Sequence, residues 1–303
     1  MVNVMALTVV TRADSVRRAS VDAALTWQDG DMTTVRMIAT DLDGTLLRPG
    51  GALADRTRAA LRACMDAGIG VVLVTGRPPR TVAALAEQIG KGVSAICSNG
   101  ALVADFATGK TTVVHEFTPE DARRIVRQLR PVLPDTGFAI ESGEAVWRDS
   151  EFRPGAFGSD DGDPVRMVGA WDEMWARAGR AVKILARSTT LTADEMMAAA
   201  GAAVSVPCEI SHSGGTGLLE IAPPGATKAT ALAWLCGERG IEAADVLAFG
   251  DMPNDLQMLQ WAGTACAVAN AHPDVLAAAA RTTLANDQDG VAHALEQLLL
   301  GTW

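Results

Sequence analysis

From residue 35 onward the chain alternates between two hydrophobic periods. Residues 35–40 form a short apolar run, residues 55–67 place apolar side chains at the spacing of one helix face, and residues 69–74 are apolar again. Short continuous runs predict strands buried on both faces, and the helical spacing between them predicts a crossover helix. Such β-α-β alternation implies parallel strands with helices on both sides. The pattern returns late in the chain: helix 228–239, strand 246–249, helix 253–261, strand 264–268, then helices near His272 and Gly290.

Between these blocks the pattern differs. A helix at 119–133 precedes two successive strands, 138–141 and 145–148, with no helix between them. A helix at 172–177, a strand at 182–186, a helix at 193–200 and a strand at 204–210 follow, and strand 217–221 is expected to lead back to the first block. The expected fold is α/β: a Rossmann-like, doubly wound parallel sheet from residues 32–117 and 216–303, with an α+β cap inserted at 118–215. Residues 1–31 lack a period and end in Gln28-Asp29-Gly30-Asp31. They are expected to be a flexible extension, with Met32 a candidate start.

Composition narrows the partners. With 303 residues, of which 49% are hydrophobic and 20% charged, the chain can bury a core and does not read as disordered. Its net charge of −10 argues against a nucleic-acid surface, which gathers lysine and arginine to displace counterions. Any anionic ligand therefore needs local help from a placed lysine or a metal. No apolar run reaches the roughly 18 residues that span a bilayer. The five cysteines, Cys64, Cys97, Cys208, Cys236 and Cys266, form no C-x-x-C pair, so neither a disulfide framework nor a zinc site is expected. A cytoplasmic protein with reduced thiols is the expectation.

Four groups of residues carry chemistry, and each stands at a predicted strand end or helix start. Asp41-Leu42-Asp43-Gly44-Thr45 follows the first strand, where open α/β sheets bind ligands. Two adjacent acids repel each other, and a divalent cation with oxygen ligands would compensate them. Val74-Thr75-Gly76-Arg77 closes the next strand with a hydroxyl and backbone amides suited to phosphate oxygens. Lys228 opens a helix after Pro223-Pro224-Gly225-Ala226-Thr227; the dipole disfavours lysine there, so the position fits an anionic partner. Gly250-Asp251-Met252-Pro253-Asn254-Asp255 gathers more hard oxygen ligands at another strand end. His115, His212, His272 and His293 show no ligand spacing, and Asp160-Asp161-Gly162-Asp163 lacks the spacing of a calcium loop.

Taken in order, these four groups resemble the motifs of the haloacid dehalogenase superfamily. The long insert between Thr75 and Lys228 resembles its Cof-type subclass IIB. Ser98-Asn99-Gly100-Ala101, Glu220-Ile221 and residues 267–270 are similar to further stretches of that family. The resemblance covers about residues 35–299. It implies a phosphatase acting on a small phosphorylated metabolite, such as a sugar phosphate, with Mg2+ as cofactor. Asp41 would be the nucleophile and Asp43 the acid and base. Thr75, Gly76, Lys228 and Asn254 would hold phosphate. Asp41, Asp43 (through its backbone carbonyl) and Asp251 would hold the metal, supported by Asp255, with Asn99 and Gly100 near the substrate. Met252 departs from the family, where that position is often small or polar. Two other readings remain open: phosphoryl transfer to a second hydroxyl, as in a phosphomutase, and a receiver-like module that accepts phosphate as a signal.

Overall fold

A computed structural model of the chain describes residues 35–153, 165–167, 169–212 and 217–302. The expected extension at 1–31 and the acidic loop at 160–163 lie outside the described residues.

The first sheet has eight strands in the order β14-β13-β12-β1-β2-β3-β4-β5. These are β1 (Met37–Thr40), β2 (Gly70–Val74), β3 (Ser94–Cys97), β4 (Leu102–Asp105), β5 (Lys110–Val113), β12 (Val246–Gly250), β13 (Thr264–Val268) and β14 (Arg281–Thr283). From β14 to β3 every pairing is parallel, whereas β3-β4-β5 run antiparallel. That antiparallel edge is not among the expected elements: the outermost strand, Lys110–Val113, is polar and partly exposed and gives no apolar run. Helices α1 (Asp55–Asp66), α2 (Pro79–Ile89), α6 (Lys228–Glu238), α7 (Leu256–Trp261), α8 (Pro273–Ala278) and α9 (Gly290–Leu300) complete this part. Strands β1, β2 and β12 are buried almost throughout, as continuous apolar runs require.

The second sheet has six strands, in the order β10-β11-β9-β6-β7-β8. They are β6 (Thr136–Glu141), β7 (Val146–Arg148), β8 (Val165–Met167), β9 (Lys183–Ser188), β10 (Glu209–Ser211) and β11 (Leu218–Ala222). Helices α3 (Pro119–Leu129), α4 (Trp171–Ala178) and α5 (Ala193–Ala203) share its core with Ile125, Phe138, Met174, Met196 and Ile221.

Three sequence readings change. The strand expected to open the returning core, 217–221, instead lies between β10 and β9 in the second sheet, so that sheet extends beyond residue 215. An apolar strand before a Pro-Pro turn looks the same whichever sheet it joins, and the choice is made by non-local pairing. The helix expected to reach 133 stops at Leu129, two residues before Pro131, whose ring and missing N–H oppose continuation. The strand expected at 204–210 is confined to Glu209–Ser211, after Pro207, which cannot donate to a ladder.

Candidate active site

The parallel register places the chemistry. Thr40 at the end of β1 is level with Phe249 of β12 and Leu73 of β2, so Asp41, Asp251 and Thr75 emerge together at one sheet edge. The Asp41 amide still donates to the Phe249 carbonyl (3.0 Å), and Thr75 N–H to the Ile96 carbonyl (2.9 Å). Asp41 and Thr75 are therefore anchored by the last rung of a ladder, while the Asp251 amide donates to Asp255 Oδ2.

Two glycines permit the close approach of these strand ends. Gly44 sits at φ +85°, and a Cβ there would lie 2.3 Å from Asp251 Oδ2. Gly100, at φ +108°, would place a Cβ 2.2 Å from the Thr227 carbonyl oxygen. Only glycine fits either position. The second approach matters because Thr227 caps α6: its hydroxyl accepts from Thr230 N–H (3.1 Å) while Thr230 returns a bond to Thr227 N–H. Lys228 is thus fixed in the first turn of α6 with its side chain directed into the site.

Lys228 Nζ lies 2.6 Å from Asp41 Oδ1 and 2.6 Å from Asp255 Oδ1, and all three residues are buried. Asp255 Oδ2 in turn accepts from the Asp251 and Met252 amides, each at 3.1 Å. Asp251 Oδ1 accepts from the Thr45 hydroxyl (2.6 Å). Burial pushes the Asp41 carboxyl well above the usual carboxylate range; Lys228 opposes this, and the charges of Asp255 and Asp251 add to it. Asp251 is pushed up to about 6, chiefly by burial, against the Thr45 hydrogen bond. For Lys228 burial disfavours the ammonium, but Asp255 and Asp41 outweigh that cost and its pKa rises. Its two carboxylate partners hold it charged.

A carboxylate oxygen from each of Asp41, Asp251 and Asp255 lies within 4.8 Å of the others. Three carboxylates against one ammonium leave two negative charges, and hard oxygen donors at this spacing fit a divalent cation. The Asp43 carboxylate is not in this trio. It faces the Arg77 guanidinium, which holds it through two hydrogen bonds, one of them Nε to Oδ2 at 2.8 Å. Asp255, expected only as support, contributes an oxygen to the trio alongside the other two.

The remaining expected residues gather beside these. The Thr75 hydroxyl accepts from Arg77 N–H (3.1 Å), and the Thr75 carbonyl accepts from Asn99 N–H (3.0 Å). Ser98 and Asn99 adopt φ values of 52° and 57°, so this turn is left-handed without glycine, and Asn99 Nδ2 donates to Glu220 Oε2 (3.0 Å). Among the described residues, the buried oxygens Ser98 Oγ, Asn99 Oδ1 and Asn254 Oδ1 have no hydrogen-bond partner. Unpaired buried oxygens are uncommon in folded proteins.

The family of haloacid dehalogenase-like hydrolases matches residues 38–295, which takes in every residue of this arrangement. The chain belongs to that family. Within it the chain is of the Cof type, an enzyme whose motifs follow the order Asp41, Thr75, Lys228, Asp251. It is 26% identical over 296 residues to a 5-amino-6-(5-phospho-D-ribitylamino)uracil phosphatase of Bacillus subtilis, covering 89% of this chain and 100% of that one. It is 28% identical to an HMP-PP phosphatase of Cronobacter sakazakii, covering 80% and 87%. The structure of a haloacid dehalogenase-like hydrolase from Bacteroides thetaiotaomicron superposes with a TM-score of 0.73 at 25% identity, covering 87% and 99%.

Three contacts of this hydrolase escaped the sequence reading: the hydroxyl of Thr45 on Asp251, the Arg77 pair on Asp43, and the Asn270 amide on the Gly44 carbonyl (2.8 Å). Each residue stands within a stretch already singled out, but its partner is non-local. Among the described residues no histidine joins the acidic trio; His272 caps α8 through Nδ1 and donates its amide to the Asp251 carbonyl (2.8 Å). All five cysteines are free, and among the described residues no helix is long and apolar enough to cross a membrane.

Proposed function

We propose that this chain is a magnesium-dependent phosphatase that hydrolyses a small phosphorylated metabolite through a phosphoryl group carried on Asp41. The observation that carries the reading is the buried cluster of Asp41, Lys228, Asp255 and Asp251, with Lys228 held on Asp41 and Asp255 at 2.6 Å. Structural burial of three acids around one lysine is costly without a charged ligand. A phosphate dianion together with a divalent cation supplies both signs. Asp41, Asp251 and the Asp43 backbone carbonyl would hold magnesium, with Asp255 beside them; when bound, the ion supplies positive charge that lowers repulsion between the acids and the incoming phosphate.

The protein's own residues account for the rest. An Asp41 oxygen attacks phosphorus, the bond from phosphorus to the leaving oxygen breaks, and Asp43 gives that oxygen a proton. Asp43 then takes a proton from water, the water oxygen attacks phosphorus, the Asp41 ester bond breaks, and inorganic phosphate leaves. Lys228 and the Thr75 hydroxyl donate to phosphoryl oxygens as charge moves onto them, with the Gly76 amide and Asn254 beside them. Asp43 must first exchange Arg77 for the substrate. Its side chain is 55% exposed, so that exchange needs no unfolding. Asn99 and Gly100 line the side from which the organic part enters, and the inserted cap selects it.

The relatives carry different organic groups on their phosphates, so the shared chemistry is the phosphoryl transfer itself. The test is phosphate release from a panel of phosphorylated metabolites, with chelator and with magnesium. Release that stops in chelator and returns with magnesium supports the reading. Full turnover in chelator, with metal absent by elemental analysis, overturns the site assignment; transfer to a second hydroxyl without free phosphate would make the enzyme a phosphotransferase.

A further inference from the structure

Lys183 belongs to the second sheet, at the start of β9, yet its ammonium does not stay there. The side chain is 4% exposed, and Nζ donates to the Gly76 carbonyl at 2.8 Å. The same ammonium pairs with Glu220 Oε1 of β11, whose other oxygen accepts from Asn99 Nδ2. A buried cation from the cap therefore lands on the backbone of the loop expected to hold phosphate.

The Gly76 carbonyl and the Arg77 N–H are the two ends of one planar peptide. The far end of that peptide donates to Thr75 Oγ1 at 3.1 Å. Fixing the carbonyl fixes the plane, and fixing the plane directs the N–H at the hydroxyl. A hydroxyl oxygen that accepts from Arg77 N–H keeps its own proton for another acceptor. A carbonyl polarised by an ammonium also makes its amide a stronger donor. The chain of bonds thus runs from the cap cation, through a single peptide, to the hydroxyl that faces phosphate.

The flanking carbonyls are pinned from the first sheet's side of the loop: Thr75 by Asn99 N–H and Arg77 by Ser98 N–H, both at 3.0 Å. Among the described residues, the middle one is the carbonyl that accepts from the cap. We infer that Lys183 is a positioning residue for phosphate binding, acting through the Gly76–Arg77 peptide on Thr75. This rests on the phosphatase reading and extends it, because the cap then contributes to the phosphate chemistry as well as to selection.

A second ion pair provides the control. Arg80 of α2 reaches Glu141 of β6 through two bonds, at 2.8 and 2.7 Å, and the Gly143 carbonyl at 3.0 Å, joining the same two parts of the molecule at a different place from the Lys183 bond to Gly76. Lys183→Met removes the ammonium, and Lys183→Met with Glu220→Gln removes the carboxylate it would leave unpaired. Arg80→Met combined with Glu141→Gln, so that no buried carboxylate is left unpaired, loosens the junction. The full-length proteins are compared by binding of inorganic phosphate in calorimetry, by KM and kcat for p-nitrophenyl phosphate with magnesium, and by hydrogen exchange at the Arg77 amide without ligand.

Both Lys183 variants should bind phosphate about tenfold more weakly, raise KM by a similar factor with a smaller change in kcat, and exchange faster at Arg77. The Arg80→Met, Glu141→Gln variant should stay within about twofold of the parent in phosphate binding and in exchange at Arg77, whatever it costs in stability. Lys183→Arg, which retains a donor and a charge, should recover part of the loss. Equal effects in the Arg80 and Lys183 variants would reduce Lys183 to a docking contact and overturn the inference, as would unchanged phosphate binding and exchange in folded Lys183 variants. Turnover by the parent protein tests the phosphatase reading by itself, and exchange at Arg77 tests the role of Lys183 without it.

Discussion

Replacing Lys228 with methionine separates the two jobs assigned to this residue. The side chain is 2% exposed and its ammonium makes two bonds of 2.6 Å, to carboxylates that are themselves 9% and 1% exposed. Methionine keeps much of the volume and is spared the desolvation of an ammonium. It leaves Asp41 and Asp255 facing each other with Asp251 nearby and no positive charge. Removing one member of a buried ion pair typically costs about 3–5 kcal/mol, because the survivor remains uncompensated. Here two partners survive, so the upper part of that range applies. Part of the loss is avoided if a carboxyl takes up a proton.

The ordering of variants is more telling than the absolute value. Asp255→Asn leaves Lys228 still paired with Asp41, and the amide oxygen can go on accepting from the Asp251 and Met252 amides. It should cost clearly less than Lys228→Met. The assay is urea denaturation in chelator and in magnesium, read by circular dichroism, with chevron-independent midpoints and slopes compared between variants. Lys228→Met should lose about 3–5 kcal/mol in chelator and recover more on adding magnesium than the parent gains, since a cation binding only the folded state stabilises it by mass action. A folded Lys228→Met protein as stable as the parent in chelator, or one indifferent to magnesium, would refute the electrostatic account of the cluster.

Other consequences can be checked singly. Asp41→Asn should lower turnover by at least about 10³ while the protein stays folded, because an amide is a poor nucleophile; near-normal phosphate release from the purified variant would rule out the covalent route. Gly100→Ala should destabilise by about 2–4 kcal/mol, since φ is +108° and the new methyl meets the Thr227 carbonyl at 2.2 Å; a urea midpoint unchanged from the parent would contradict this geometry. Burial pushes the thiols of Cys208 and Cys236 up to about 11, those of Cys64 and Cys266 up to about 12, and that of Cys97 higher still. At pH 8 the native protein should therefore consume less than about one equivalent of a thiol-disulfide reagent in minutes, and all five after denaturation; prompt stoichiometric labelling would show the burial to be wrong.

The strand-end motifs were legible because each depends on local sequence. Asp41, Thr75 and Asp251 follow apolar runs, and parallel pairing brings their ends to one edge whatever lies between them. Lys228 was legible from its place at a helix start, and the Thr227–Thr230 cap confirms that placement. What sequence did not disclose is pairing at a distance. The bond from Lys183 to Gly76 spans 107 positions, although a lysine within Ala181-Val182-Lys183-Ile184-Leu185-Ala186 carries a signal: a charge in a buried strand requires a partner. The metal role that the resemblance implies for Asp43 runs through its backbone carbonyl; its carboxylate lies outside the acidic trio and pairs with Arg77, 34 positions away, a partner that local sequence does not show.

That difference divides the site into an inner layer that holds and an outer layer that exchanges. Lys228 cannot leave Asp41 and Asp255 without stranding buried charge, so its position is fixed before any substrate arrives. Arg77 and Asp43 are 32% and 55% exposed, and an ion pair at such a surface contributes only about 0–1 kcal/mol. A phosphate ester offers a guanidinium charge-assisted bonds at least as strong as those to a carboxylate. Opening the outer pair therefore costs little, and in the proposed mechanism it frees Asp43 for the leaving oxygen at the step that needs it. An inner layer built the same way would lose its geometry whenever solvent entered; an outer layer built like the inner one would hold Asp43 away from the reaction.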